Sequence, residues 1–177
     1  MDANVYKIYD QNLEEKAKWR KGTTLIAGDS LLFGIDEKRL RNTKVRIFPG
    51  SSIEDAYFHL YPLLRKCPTN ILLLFGTNNA REDTSFQIRE KLMKLKAYIS
   101  SILPNCTIYL STLITRLDDA KAQVTVQRVN DLLKKMDIPL INNDNITAEY
   151  LGKKQLHLNQ RGVGKLALNF VKTLNKL

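Results

Sequence analysis

The chain has 177 residues and a mass of 20.3 kDa, which fits one compact domain with a hydrophobic core of ordinary size. Hydrophobic residues make up 44% of it and charged residues 26%, a balance that excludes a largely disordered or membrane-embedded protein. The 28 lysines and arginines outnumber the 18 acidic residues, and the resulting charge of +10 favours contact with phosphate backbones or anionic membranes.

Two further features of the sequence bear on location and cofactors. No apolar run approaches the roughly 20 residues of a membrane-spanning helix, and residues 1–21 are too charged for a secretory signal. We therefore expect an intracellular protein, or a domain excised from a longer one. Cys67 and Cys106 lack the spacing of metal ligands, so we expect structural thiols, no metal and no cofactor.

Strand-like and helix-like segments alternate along the chain. A helical extension is predicted for residues 1–22, and the main domain follows over residues 23–177. Within that domain the predicted strands are residues 23–27, 44–48, 70–75, 107–111 and 138–141, and the predicted helices are residues 52–64, 85–103, 119–136 and 159–174. Repeated units of this kind predict an α/β fold with a mostly parallel sheet and helices on both faces.

Residues able to carry chemistry follow several predicted strands. Ser30 comes after the first strand, Gly50 after the second and Asn78 after the third, while His157 precedes the last helix. Because the carboxyl ends of parallel strands meet at one edge of a sheet, a hydroxyl, a glycine amide and a carboxamide are expected to face one ligand there. A hydroxyl activated by an imidazole is typical of nucleophilic catalysis.

Four motifs connect these residues to a known family. The segments GDSLLFG (28–34), FPGSS (48–52), GTNN (76–79) and LHLN (156–159) have the order and approximate spacing of the four blocks of SGNH (GDSL-type) hydrolases. The chain resembles that family from about residue 23 to its C-terminus. The resemblance implies a flavodoxin-like three-layer α/β/α sandwich with five strands, and hydrolysis of carboxylic esters through an acyl-enzyme without a cofactor.

The same resemblance implies a role for each site residue. By position, Ser30 looks like the nucleophile and His157 like the general base. The backbone N–H groups of Ser30 and Gly50, with the side chain of Asn78, look like the oxyanion hole. An Asn replaces the usual Asp at position 79, a change we interpret as structural because Asn makes similar turn hydrogen bonds.

One departure from the family pattern affects the expected chemistry. Most members carry an acid three residues before the histidine, where this chain has Lys154. Either a backbone carbonyl near Lys154 orients the imidazole, leaving a Ser–His dyad, or another acid such as Asp144 or Glu149 reaches it. A lysine beside His157 disfavours the imidazolium, so we expect slower turnover or none.

A narrower resemblance concerns the wider setting of the chain. Segments such as KVRIFPGSSIEDAYFHLYPLLRK and TNILLLFGTNNA are similar to the esterase domain in the first open reading frame of animal non-LTR retrotransposons. That resemblance implies a longer protein with domains upstream, working beside RNA. The alternative is a catalytically weak module that binds RNA, DNA or anionic membrane through its basic surface. Lys153 and Lys154 either form the rim of a site for an anionic ligand or belong to a solvated face. His59 has no partner motif and is expected to be structural.

Overall fold

The computed structural model describes residues 18–177, and most of the predicted N-terminal extension lies outside the described residues. The strands are β1 (Thr24–Gly28), β2 (Thr43–Ile47), β3 (Asn70–Leu74), β4 (Thr107–Ser111) and β5 (Leu140–Ile141). The helices are α1 (Ile53–Leu64), α2 (Ser85–Ile102), α3 (Ala120–Lys134) and α4 (Gln160–Leu174). Short 3-10 turns occupy Ser30–Leu32, Glu37–Arg39, Asn79–Arg81 and Ala148–Tyr150.

The five strands form one sheet in the order β2-β1-β3-β4-β5, and every neighbouring pair is parallel. This order is that of flavodoxin-like folds, in which ligands bind beyond the carboxyl ends of the strands. All five residues of β3 are buried, as expected for a parallel strand covered on both faces. The predicted parallel α/β architecture is confirmed.

Two hydrophobic cores lie on opposite faces of the sheet and define three layers. Leu25, Leu73 and Leu110 point to the face covered by α1, α2 and α3. Ile26 and Leu72 point to the other face, where α4 and the short turns pack. The strands alternate between the two cores because successive side chains leave opposite faces of a strand.

Capping residues fix where the helices begin. Ser52 begins α1 with a capping box to Asp55, and Asp119 and Asn159 accept backbone hydrogen bonds at the starts of α3 and α4. Strand β5 is shorter than predicted and begins at Leu140, because Pro139 before it has no N–H to give to a sheet ladder. Across residues 18–177, no helix combines the length and apolar character needed to cross a bilayer.

Candidate active site

Strands β1, β2 and β3 end level with one another at the carboxyl edge of the sheet. Gly28 is in register with Ile47 on one side and with Leu74 on the other, so the loops that follow all leave from the same edge. A Cβ at Gly28 would lie 2.4 Å from the carbonyl oxygen of Leu74, which explains why glycine is needed where the first loop begins.

The first loop presents Ser30 at the start of a 3-10 turn. Asp29 caps this turn, since its Oδ1 accepts from the backbone N–H of Leu31 at 2.9 Å. The Oγ atom of Ser30 lies 3.1 Å from Nε2 of His157, which is within hydrogen-bond distance. The structure therefore brings the predicted nucleophile and the predicted base together.

A tight loop before α4 carries His157. The backbone N–H of Gly152 donates to the carbonyl of His157 at 2.7 Å, and Leu151 pairs with Leu158 in an antiparallel bridge. The side-chain amide of Asn159 donates to the carbonyls of Glu149 and Leu151 at 2.8 and 3.1 Å. The Asn of the LHLN motif thus fixes the loop that holds the imidazole.

The second loop contains Gly50, one of the predicted oxyanion donors. Its φ of +76° belongs to the left-handed region that favours glycine, and nothing lies within 4 Å of the position its Cβ would take. The Nδ2 atom of Asn78 donates to the carbonyl of Ser51 at 2.9 Å. The structure thus joins the loop of Gly50 to Asn78, and one hydrogen of the Asn78 amide remains for a ligand.

The acids proposed to orient His157 lie against other groups. Asp144 contacts Lys134 at 2.5 Å, and Glu149 contacts Arg161 at 3.4 Å. Neither acid forms a hydrogen bond with His157 in this structure, in which the hydrogen-bond partner of the imidazole is Ser30. The His157 side chain is exposed. Among residues 18–177, no group forms a hydrogen bond with its Nδ1, and the carbonyl of Lys154 forms none either.

The first loop contains a buried carboxyl group. Asp29 is 1% exposed, and its Oδ2 has no partner among the described residues. Burial raises the pKa of Asp29 to about 7, against the opposing effects of the Leu31 N–H and the Arg116 charge. Arg116 is itself buried, donates to the carbonyl of Thr77 at 2.9 Å and binds Asp118 through two nitrogens. No sequence motif singles out Arg116.

Asn79 joins the third loop to the start of α1. Its Oδ1 accepts from the backbone N–H of Ile53 at 2.9 Å, as the usual Asp would. Its Nδ2 donates to Glu54 and Asp83 at 2.9 and 2.8 Å, which an Asp at this position would not do. Asn at position 79 can therefore donate hydrogen bonds to the two neighbouring acids, whereas an ionised Asp would repel them.

An apolar groove of about 530 Å³ lies between the segment after the first loop and α4. The charged residues Asp36 and Arg39 also line it, and neither Ser30 nor His157 is among its lining residues. Its lining includes Ile35, Leu40, Val163, Ala167, Leu168 and Val171. Across the described part of the chain, no group of three or more His, Cys, Asp or Glu side chains is arranged to hold a metal ion.

Comparison with known proteins finds similar structures. No protein-family model and no curated protein sequence matches the chain. A lipase/acylhydrolase from Enterococcus faecalis is 20% identical, with a TM-score of 0.68 over 87% of this chain and 96% of that one. A GDSL-like lipase from Bacteroides thetaiotaomicron is 13% identical, with a TM-score of 0.73 over 97% of each chain. The esterase EstA from Pseudoalteromonas sp. is 16% identical, with a TM-score of 0.67 over 88% and 98%. The fold predicted from the four motifs is therefore confirmed.

Proposed function

We propose that this protein is a serine ester hydrolase in which Ser30 is the nucleophile and His157 the general base. The observation that carries the proposal is the 3.1 Å distance between Ser30 Oγ and His157 Nε2 at the carboxyl edge of the sheet. The fold shared with lipases and esterases supports the same chemistry.

In the proposed mechanism, Ser30 Oγ attacks the ester carbonyl while His157 Nε2 takes its proton. The N–H groups of Ser30 and Gly50 and the amide of Asn78 stabilise the oxyanion of the tetrahedral intermediate. The imidazolium then protonates the departing alkoxide, which leaves an ester between Ser30 and the acyl group. Water, deprotonated by His157, attacks that ester and releases the acid and the free serine.

The unpartnered Nδ1 of His157 supports a Ser–His dyad in place of a triad. The imidazole is exposed, so water can accept the Nδ1 hydrogen when the ring becomes charged. Water does not fix the tautomer or the orientation of the ring as a carboxylate does, and loss of that function slows serine hydrolases strongly. We therefore propose slower turnover than in members that have the acid.

The test is covalent labelling with a fluorophosphonate, which reports an activated serine without a guess at the substrate. Wild-type protein is expected to be labelled at Ser30, and Ser30→Ala and His157→Ala are expected to lose the label. Ser101→Ala is the matched control, because Ser101 is an exposed serine at the end of α2. Equal labelling of wild type and Ser30→Ala, or label on another residue, contradicts the proposal.

A second candidate is a binding module with little or no turnover. The net charge of +10 and the absence of a described partner for His157 Nδ1 favour it. In that case RNA, DNA or anionic vesicles bind with an affinity that falls steeply with added salt and does not change in Ser30→Ala. Retained labelling of Ser30 together with salt-insensitive binding argues against the module.

We also propose that the chain is the esterase part of a retrotransposon protein and works inside the cell beside RNA. The proposal rests on the similarity of the sequence segments given above. Sequencing of the genomic locus tests it directly. A reverse-transcriptase reading frame downstream supports the proposal, and an isolated gene of a secreted protein contradicts it.

A further inference from the structure

His59 occupies an unusual position on the second turn of α1. Its ring stacks on Phe48 with centroids 4.3 Å apart and planes 7° from parallel. Its Nε2 lies 3.0 Å from Oγ of Ser51, within hydrogen-bond distance. Because side chains of a helix lean toward its N-terminus, a residue on the second turn can reach back to the loop that precedes the helix.

Phe48 and Ser51 are the two ends of the turn that carries Gly50. The backbone N–H of Ser51 donates to the carbonyl of Phe48 at 3.2 Å and closes this turn. His59 therefore contacts both ends of the turn. It stacks on Phe48 at the start of the turn and forms a hydrogen bond with Ser51 at its end. The conformation of Gly50, with its φ of +76°, is held between these two contacts.

Ser51 links His59 to Asn78, which is also a predicted oxyanion donor. Its carbonyl accepts the hydrogen bond from Asn78 Nδ2 at 2.9 Å. A shift of Ser51 therefore moves the partner that fixes the Asn78 amide as well as the turn of Gly50. Two donors from different loops share one support, which is the pair formed by Ser51 and His59.

The Ser51–His59 pair is a poor candidate for a second nucleophile and base. Ser51 is 6% exposed, so an ester carbonyl has little access to its hydroxyl. Phe48 covers one face of the His59 ring, and Phe48 also stacks on the buried Phe75 at 6.4 Å. These contacts tie the pair to the core of the sheet, as a support requires.

We propose that His59 is a positioning residue of the oxyanion hole, acting through Phe48 and Ser51 on Gly50 and Asn78. This inference rests on the proposed ester hydrolysis. Preorganised donors are effective only where the oxyanion will form, so loss of their support lowers kcat more than it changes KM.

Three variants separate the two contacts of His59. His59→Phe keeps a ring on Phe48 and removes the hydrogen bond to Ser51, and Ser51→Ala removes the same bond from the other side. His59→Gln keeps a polar partner and removes the stacked ring. We expect each variant to lower kcat about tenfold, which is less than the ~10²–10³ from deletion of a donor, with KM within about twofold. Phe58→Leu, at an exposed neighbour on α1, is the control.

A double-mutant cycle with Asn78→Ala distinguishes positioning from general stabilisation. If His59 acts through Asn78 and Gly50, His59→Phe costs less activity in the Asn78→Ala background than in the wild type. A purely structural role costs the same factor in both backgrounds. Two outcomes overturn the inference and leave the proposed function intact. One is an equal loss of activity from His59→Phe in both backgrounds. The other is full activity of His59→Phe and Ser51→Ala when the activity of the wild type is shown to depend on Ser30.

Amide hydrogen exchange tests the same inference without turnover. The Ser51 N–H is expected to exchange several-fold faster in His59→Phe than in wild type, because the turn it closes has lost one support. The Ile53 N–H, bonded to Asn79, serves as an internal reference. Unchanged exchange at Ser51 contradicts the inference even if the protein hydrolyses no ester tested. Activity that survives in Ser30→Ala contradicts the proposed function, on which the inference rests, and the exchange at Ser51 then still reports whether His59 supports the turn.

Discussion

The imidazole Nε2 of His157 and the hydroxyl Oγ of Ser30 lie 3.1 Å apart although 127 positions separate the two residues in sequence. The strand order explains this proximity. The chain order reverses at β1 and β3, and such a reversal opens a crevice at the carboxyl edge of a parallel sheet. Ser30 follows β1 at that crevice, and the short loop before α4 carries His157 back to it.

The first prediction concerns Asn78. Asn78→Ala removes the carboxamide that we propose to stabilise the oxyanion, and it leaves Ser30 and His157 in place. We expect kcat for a short-chain chromogenic ester to fall by ~10²–10³ with little change in KM. Asn105→Ala, in an exposed turn, is the control. A kcat within threefold of wild type removes Asn78 from the oxyanion hole.

The second prediction concerns the acid that this chain lacks. Lys154→Asp places a carboxylate three residues before His157, where it can accept a hydrogen bond from the imidazole. We expect kcat/KM equal to or higher than that of wild type. Lys153→Asp makes the same change of charge one residue away, so a gain confined to Lys154→Asp reports orientation of the ring. A large loss in Lys154→Asp shows that the lysine has a role of its own.

Much of the fold could be predicted because its signals are local. The continuous apolar run at 70–75 predicts a strand buried on both faces, and residues 70–74 form β3. The predicted bounds of β1 and β2 were each displaced by one residue, since parallel register, which pairs Thr24 with Thr43, is set by the neighbouring strand. Periodicity within one segment carries no information about that pairing.

The site was predictable as far as the motifs extend. Ser30 and His157 belong to motifs, and the structure brings them together. Asp144 forms an ion pair with Lys134, on α3, and no spacing in the sequence indicates that contact. His59 belongs to no motif. The role proposed for it depends on its stacking with Phe48 and its hydrogen bond with Ser51, and these contacts exist only once the loop and helix are packed.

The third prediction concerns the two thiols. Cys67 is exposed, whereas Cys106 is half-buried, and burial raises the pKa of Cys106 to about 11. Because the thiolate is the reactive form, we expect N-ethylmaleimide at pH 8 to modify Cys67 first. The rate at Cys106 is expected to rise roughly 100-fold between pH 8 and pH 10, since each pH unit below the pKa reduces the thiolate tenfold. Mass spectrometry of digests, with Cys67→Ser as the control, measures both rates, and equal rates at pH 8 contradict the prediction.

The fourth prediction concerns Asn79. Asn79→Asp replaces two donated hydrogen bonds, to Glu54 and Asp83, by repulsion among three carboxylates. Although burial opposes its ionisation, hydrogen bonds from Lys91 and Asn79 lower the pKa of Glu54 to about 2, so Glu54 remains charged at neutral pH. We expect the free energy of unfolding in urea to fall by about 2 kcal/mol. Asn105→Asp changes charge equally at an exposed site, and an equal effect of both variants contradicts the argument.

The last prediction concerns the buried carboxyl of Asp29, whose pKa of about 7 exceeds its ordinary value of 3.8. Between these two values the folded protein holds a proton that the unfolded chain releases, so the stability contributed by Asp29 falls as pH rises from about 4 to 7 and then levels off. Asn at this position keeps an oxygen for the Leu31 N–H and does not titrate.

The comparison of wild type with Asp29→Asn cancels the other titrating groups, because both proteins contain them. We expect the unfolding free energy of wild type, relative to the variant, to fall by on the order of 4 kcal/mol between pH 4 and pH 8, with most of the change below pH 7. Urea unfolding at a series of pH values measures the difference. A difference that stays constant with pH means that Asp29 is ionised in the folded protein, with its charge balanced by Arg116.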